Sequence, residues 1–247
     1  MKTMIITGAS RGIGAATAVL AAKYGFAVAI NYHKNQTAAE KVVKAITETG
    51  GRAIAIQADI SNEKDILRLF SETDKRLGNL HSLINNAGIL EQQMRLEEMD
   101  ISRLNRVFAT NITGPLICAR EAIKRMSKKY GGNGGTIVNV SSLAARTGAP
   151  NEYLDYAVSK GAMDTFTIGL SKELADEGIR VNGVRPAFIH TDIHADGGEP
   201  KRVDRIKESI PMKRGGTPDE VAEAILWLAS EKSSFSTGTF IDITGGR

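Results

Sequence analysis

Cysteine is nearly absent. Cys118 is the only one, so no intrachain disulfide can form and no thiolate cluster can hold a metal, a pattern that suits a reducing compartment. The four histidines, His33, His81, His190 and His194, stand apart without zinc-site spacing. No apolar run is long enough to span a bilayer, and the N-terminus passes from Met4-Ile5-Ile6 straight into a glycine turn, leaving no room for a secretory core. The chain is therefore read as soluble and cytoplasmic, with no membrane partner. Blocks of one charge are missing too. The 32 basic and 28 acidic residues are interspersed, as in Arg202-Val203-Asp204-Arg205, which argues against a nucleic-acid partner. No Pro/Ser-rich linker and no internal repeat divides the 247 residues, so 1–247 is read as one domain.

Short apolar runs alternate with longer helix-period stretches. Met4–Thr7, Ala27–Asn31, Ala53–Gln57, Leu80–Asn85, Thr136–Ser141, Ile179–Val184 and Phe240–Ile243 are the expected strands. Such an order predicts an α/β fold with a parallel sheet. Runs apolar on both faces, such as Ala27-Val28-Ala29-Ile30, predict a doubly wound sheet with helices on both faces. The glycine cluster Gly131-Gly132-Asn133-Gly134-Gly135 is the expected turn into the fifth strand.

Behind the first strand stands Thr7-Gly8-Ala9-Ser10-Arg11-Gly12-Ile13-Gly14, then an alanine-rich helix over Ala15–Tyr24. Gly8 lets the chain turn, Gly12 lets backbone approach a pyrophosphate and Gly14 lets the helix pack close to the strand, while the helix N-terminus faces the anion. Strand, turn and helix in that order point to a dinucleotide. An NAD site usually sets a carboxylate at the end of the second strand to hold the ribose hydroxyls. Here that point reads Asn31-Tyr32-His33-Lys34-Asn35, with no acid before Glu40, whereas Arg11 and Lys34 offer cations to a 2′-phosphate. The expected cofactor is NADP(H).

Tyr156 and Lys160 lie four apart in a helical stretch running to about Ala175, so both reach one face. Bringing a phenol from about 10 to near 7 calls for about 4 kcal/mol, expected from Lys160 and a positively charged nicotinamide together. Ser141-Ser142 ends the fifth strand, where a hydroxyl can hold a substrate oxygen. Period-2 alternation sets Ser141 with Asn139 and Ser142 with Val138 and Val140, and does not choose between the two serines.

The glycine turn, Asn85-Asn86-Ala87-Gly88, Asn111, Ser142, Tyr156 with Lys160, and Arg185-Pro186 occur in the order that resembles the short-chain dehydrogenase/reductase family, along essentially the whole chain. The chain looks most similar to the 3-oxoacyl-carrier-protein reductases and bacterial glucose dehydrogenases within it. The resemblance implies a single-domain Rossmann fold and a homotetramer. It also implies catalysis by Ser142, Tyr156 as acid/base, Lys160 beside the tyrosine and the nicotinamide ribose, and Asn111 as the anchor of a water in a proton relay. It further implies adenine contacts from Asp59 and Ile60, a cofactor-supporting turn at Asn86, Ala87 and Gly88, and contacts from Pro186, Ile189 and Thr191. Asp59 also suits the N-cap region of a helix, and Asn85 a simple turn.

One departure stands out: Ala187 follows Pro186 where the family has glycine, and alanine would strain a positive φ or crowd a close approach. The substrate, a small carbonyl or alcohol, is expected over Tyr156 and Ser142 beneath a lid at 193–209. There His190, His194, Arg202 and Arg205 either meet an anion or form a solvated face. Turnover, not a dinucleotide-sensing role, is the expected function.

Overall fold

A computed structural model describes all 247 residues. All seven expected strands form: β1 (Lys2–Ile6), β2 (Phe26–Tyr32), β3 (Arg52–Gln57), β4 (Leu80–Asn85), β5 (Gly135–Val140), β6 (Ile179–Pro186) and β7 (Phe240–Ile243). They pair in parallel in the order β3-β2-β1-β4-β5-β6-β7. Between them run α1 (Gly12–Lys23), α2 (Gln36–Thr47), α3 (Glu63–Leu77), α4 (Ile101–Phe108), α5 (Gly114–Met126), the single turn α6 (Ala144–Thr147), α7 (Leu154–Leu174), the short α8 (Ile193–Asp196) and α9 (Arg202–Ile206), and α10 (Pro218–Ala229). This is the doubly wound Rossmann arrangement.

Strand alternation builds two cores. Met4, Ile6, Val28, Ile30, Ile84 and Val138 face one side with the apolar residues of α1 and α10, while Ile5, Ala27, Ala29, Leu83 and Ile137 face the other with α3, α5 and α7. Every residue of β2 is buried, as expected for a strand covered on both faces. The order reverses between β1 and β4, which opens a crevice at the carboxyl ends of β1, β4 and β5.

Strand ends differ from the expected ones by a residue or two. Thr7 lies just past β1, where its hydroxyl serves Ile84 O and the amides of Asn86 and Ala87. β6 runs on to Pro186, its last residues pairing with β7. No helix is long and apolar enough to cross a membrane.

Candidate active site

At the end of β1 the glycines do distinct work. Gly8 has φ +62°, and a Cβ there would lie 2.9 Å from Ala87 Cα; Gly12 has φ +56°. Asn86 Nδ2 donates to Thr7 O (2.8 Å) and Gly8 O (3.1 Å), tying the turn after β4 to the glycine turn. Asn31 braces the same turn: its Oδ1 accepts from Gly8 N (3.1 Å) and its Nδ2 donates to Ala58 O (3.0 Å). Arg11 stands at the N-cap of α1 without a side-chain cap bond, so the first amides of the helix keep their polarity for an anion. The turn thus fits a dinucleotide phosphate. Ser10 and Ile13 flank it, half-buried.

Other residues expected at the cofactor also have partners within the chain. Tyr32 and Ile60 turn their side chains into the two cores, one on each side of the sheet. Arg11 forms an ion pair with Asp196 and approaches Asp192 at 3.9 Å, so α8 already engages it. Asp59 accepts from Ser61 N (2.9 Å) and Ser61 Oγ (2.8 Å) and stands 3.5 Å from His33 Nε2, while the N-cap of α3 is Asn62. A carboxylate missing from the β2 sequence is thus brought near by β3. Lys34 is exposed and has no ion pair.

Beside this cradle lies the tyrosine. Tyr156 sits in the first turn of α7, and Lys160, 4% exposed, stands one turn further on with Nζ 5.5 Å from the tyrosine ring centre. Lys160 Nζ donates to Val140 O (2.7 Å) at the end of β5. Ser142 Oγ accepts from Ala144 N (3.1 Å) and stands close enough to the Tyr156 phenol to favour its ionised form. Ser141 turns the other way: its hydroxyl donates to Asp164 Oδ1 at 2.6 Å, and Asn139, on the same face, donates to Thr167 of the same helix at 2.9 Å. Alternation alone left the serines open. The chain past β5 turns Ser142 toward the tyrosine and leaves Ser141 under α7.

Desolvation pushes the Tyr156 phenol up to about 12, the Ser142 hydroxyl working in the opposite direction. Lys160 directs its ammonium at Val140 O. Desolvation pushes Lys160 down to about 8, against the pull of Asp164. Tyr156 is half-buried and Lys160 buried, and each retains its proton at neutral pH.

Asn111 lies in a π-turn, Ala109–Thr113, between α4 and α5. Such turns interrupt helices at functional sites, and nothing in local composition announces them. Its Oδ1 accepts from Ile89 N (2.8 Å), and its Nδ2 donates to Ile89 O (3.0 Å) and Ser159 Oγ (3.1 Å). Gly88 faces both partners: a Cβ there would stand 3.4 Å from Asn111 Oδ1 and 3.6 Å from Lys160 Nζ.

The segment after β6 folds back over the cradle. Thr191 Cγ2 lies 3.3 Å from where a Gly12 Cβ would be, and Ile189 and Pro186 are buried. Strain expected at Ala187 falls one residue later. Phe188 takes φ +55°, while Ala187 keeps negative φ and donates its amide to Ile243 O at 3.0 Å. The lid cations are spoken for: Arg202 pairs with Glu152 and Glu199, and Arg205 with Glu199, whose carboxyl is held down to about 2 chiefly by the Arg205 hydrogen bond. An anion-greeting role for them is thereby replaced by a salt-bridged face. His194 Nε2 meets Ile189 O at 2.9 Å, and burial lowers its pKa.

Comparison with known proteins follows the same lines. Residues 8–247 match the family model described as enoyl-(acyl carrier protein) reductase. The chain is 56% identical over 247 residues to an uncharacterized oxidoreductase of Escherichia coli, covering 100% of each. It is 37% identical over 246 residues to a 3-oxoacyl-[acyl-carrier-protein] reductase of Synechocystis, covering 99% of this chain and 96% of the other. A short-chain dehydrogenase/reductase structure from Serratia marcescens superposes with a TM-score of 0.91 at 30% identity, over 99% of this chain and 97% of that one.

Proposed function

The chain belongs to the short-chain dehydrogenase/reductase family of nicotinamide-dependent oxidoreductases, and from that premise we propose that it interconverts a carbonyl and an alcohol with NADP(H), Tyr156 carrying the proton. The observation behind this reading is Tyr156 one helical turn from the buried Lys160, whose Nζ lies 5.5 Å from the tyrosine ring and reaches Val140 O, at the strand ends that also carry Ser142 and the glycine turn. Two hydroxyls offer two donors to one substrate oxygen. A phenol pushed up to about 12 holds its proton at neutral pH and can deliver it as negative charge grows on that oxygen. Ser142 holds the oxygen in place, and Lys160 supplies positive charge to the phenolate left behind. In the oxidative direction the same tyrosine must ionise. With the phenol raised by burial, Lys160 alone leaves it protonated, so the positive charge of the oxidised cofactor is needed as well.

When bound, the cofactor supplies or accepts the hydride. Gly8, Ser10, Gly12, Ile13 and Gly14 would hold its pyrophosphate, Asn86, Ala87 and Gly88 would back it, and Ile189 and Thr191 would cover it. Arg11 and Lys34 would meet a 2′-phosphate, Lys34 being the cation without an ion pair. NADPH is therefore expected to show the lower KM. Lys34→Asp should erase about tenfold of that preference, the worth of one exposed charge-assisted contact. A wild type that favours NADH, or a preference unmoved by Lys34→Asp, would remove the NADP(H) assignment.

The depressed Lys160 gives the reaction a pH signature. An ordinary lysine loses its proton near 10.5, and this one near 8, so the ammonium is complete below that point and lost above it. Reductive kcat/KM is expected to be flat below about 8 and to fall above it. A profile level to pH 10 would show that the ammonium is not needed.

Leu116 on α5 and Val158 and Ile168 on α7 are exposed apolar residues, which supports assembly into a homotetramer. Light scattering should then give four times the mass of the chain, and a monomer would refute it. A panel of 3-oxoacyl thioesters, aldoses, small ketones and aldehydes, run with both cofactors, identifies the substrate class.

A further inference from the structure

One buried charge pair lies outside the proposed chemistry. Arg103, in the first turn of α4, has a side chain 5% exposed, and its partner Asp155, in the first turn of α7, is 1% exposed. The contact is two-pronged: Nε donates to Asp155 Oδ2 at 2.7 Å and Nη2 to Oδ1 at 3.3 Å. The remaining arm, Nη1, donates to Gln92 O at 2.7 Å. Asp155 Oδ1 also accepts from the backbone N–H of Tyr156 at 2.9 Å. Tyr153, the N-cap of α7, makes no side-chain cap bond, so this carboxylate is what the Tyr156 amide has for a partner.

The carbonyl of the same residue is gripped from the same helix. Ser159 Oγ donates to Tyr156 O at 2.7 Å, and Asn111 Nδ2 donates to that Ser159 oxygen at 3.1 Å. The stretch from Arg103 to Asn111 thus reaches both the N–H and the C=O of Tyr156, through Asp155 on one side and Ser159 on the other.

Stability does not explain such a pair. Well-packed apolar residues usually serve a buried position as well as or better than an ion pair, because desolvating two charges offsets their attraction. A guanidinium fork does what apolar packing cannot: it fixes a carboxylate in distance and in rotation. We propose that Arg103 is a positioning residue for the reaction, holding Asp155 so that the first turn of α7 presents the Tyr156 hydroxyl at Ser142. This rests on the reading of Tyr156 as proton carrier.

The test is a mutant cycle on the full-length enzyme with NADPH and 4-nitrobenzaldehyde as the probe carbonyl. Arg103→Lys keeps the charge and loses the fork; Asp155→Asn keeps an acceptor for the Tyr156 amide and loses the pair. Each is expected to lower kcat on the order of 100-fold, the cost of a small misplacement, with KM changed by less than about threefold. In a Tyr156→Phe background the same changes should alter the residual rate by less than about twofold, because they act through the hydroxyl already removed. Losses that multiply in that background, or a kcat that stays put, overturn the proposal. If Tyr156→Phe itself leaves turnover intact, it is the functional reading that fails.

A second readout needs no turnover. In protein carrying 13Cζ-labelled tyrosine, the Tyr156 resonance, assigned by its loss in Tyr156→Phe, should move in Arg103→Lys while those of Tyr24, Tyr32 and Tyr130 hold. An unmoved Tyr156 signal in the folded variant contradicts the positioning role.

Discussion

Tyr156→Phe is expected to lower carbonyl reduction on the order of 1,000-fold, the contribution of a positioned general acid, while leaving NADPH affinity within about threefold. The substitution keeps the ring that packs near Lys160 and removes only the oxygen that stands near Ser142. Binding and folding should therefore be spared. A variant that retains more than about a tenth of wild-type turnover would show that protonation comes from elsewhere, a loss far smaller than that of a general acid. Paired measurement of kcat and of NADPH dissociation decides the matter.

The second large effect is expected at Gly14. A Cβ there would stand 2.5 Å from Asn86 Nδ2, 2.7 Å from Gly8 O and 2.9 Å from Ala9 Cα. Two of these are backbone atoms of the glycine turn. The third belongs to an amide already committed to Thr7 O and Gly8 O. None of them can yield alone. Gly14→Ala should force α1 away from the turn, costing about 1–3 kcal/mol of stability by overpacking and on the order of 100-fold in NADPH affinity by misplacing the phosphate amides. Gly161→Ala is the control, since a Cβ there meets nothing within 4 Å and alanine is the better helix former. It should be neutral or stabilising. A Gly14→Ala protein that binds NADPH like the wild type would show that close helix packing is not what the glycine provides.

The fold was legible because its signals are periodic. Seven apolar runs became seven strands, with ends displaced by a residue or two. The glycine turn was legible because its geometry demands glycine: Gly8 and Gly12 do take positive φ. The helical spacing that set Tyr156 and Lys160 on one face also holds.

What was hidden depended on contacts between distant segments. Arg11 was free on paper and is paired with Asp196, 185 residues away. The acid missing after β2 arrives from β3 as Asp59. Strain expected at Ala187 appears at Phe188, because the Ala187 amide is drawn into the β7 ladder by Ile243 O. Alternation could not separate Ser141 from Ser142, since the strand ends between them and Asp164 captures the first. Asp164 itself was within reach: it lies four residues beyond Lys160, on the same helix face. The Arg103–Asp155 pair, spanning 52 residues and two helices, had no sequence signal at all.

The same three-dimensional dependence explains the tyrosine. Spacing set Lys160 beside the phenol; burial in the folded chain pushes that phenol up to about 12, and the ammonium engages Val140 O.

The most direct test of the central claim is isotopic. With NADPH carrying deuterium at the transferable position of the nicotinamide ring and a carbonyl drawn from the panel, the alcohol product should contain one deuterium on the carbinol carbon, formed in equal amount to the cofactor consumed, at a rate that falls on the order of 1,000-fold in Tyr156→Phe. Alcohol without deuterium, or alcohol formed at the same rate by Tyr156→Phe, would contradict it.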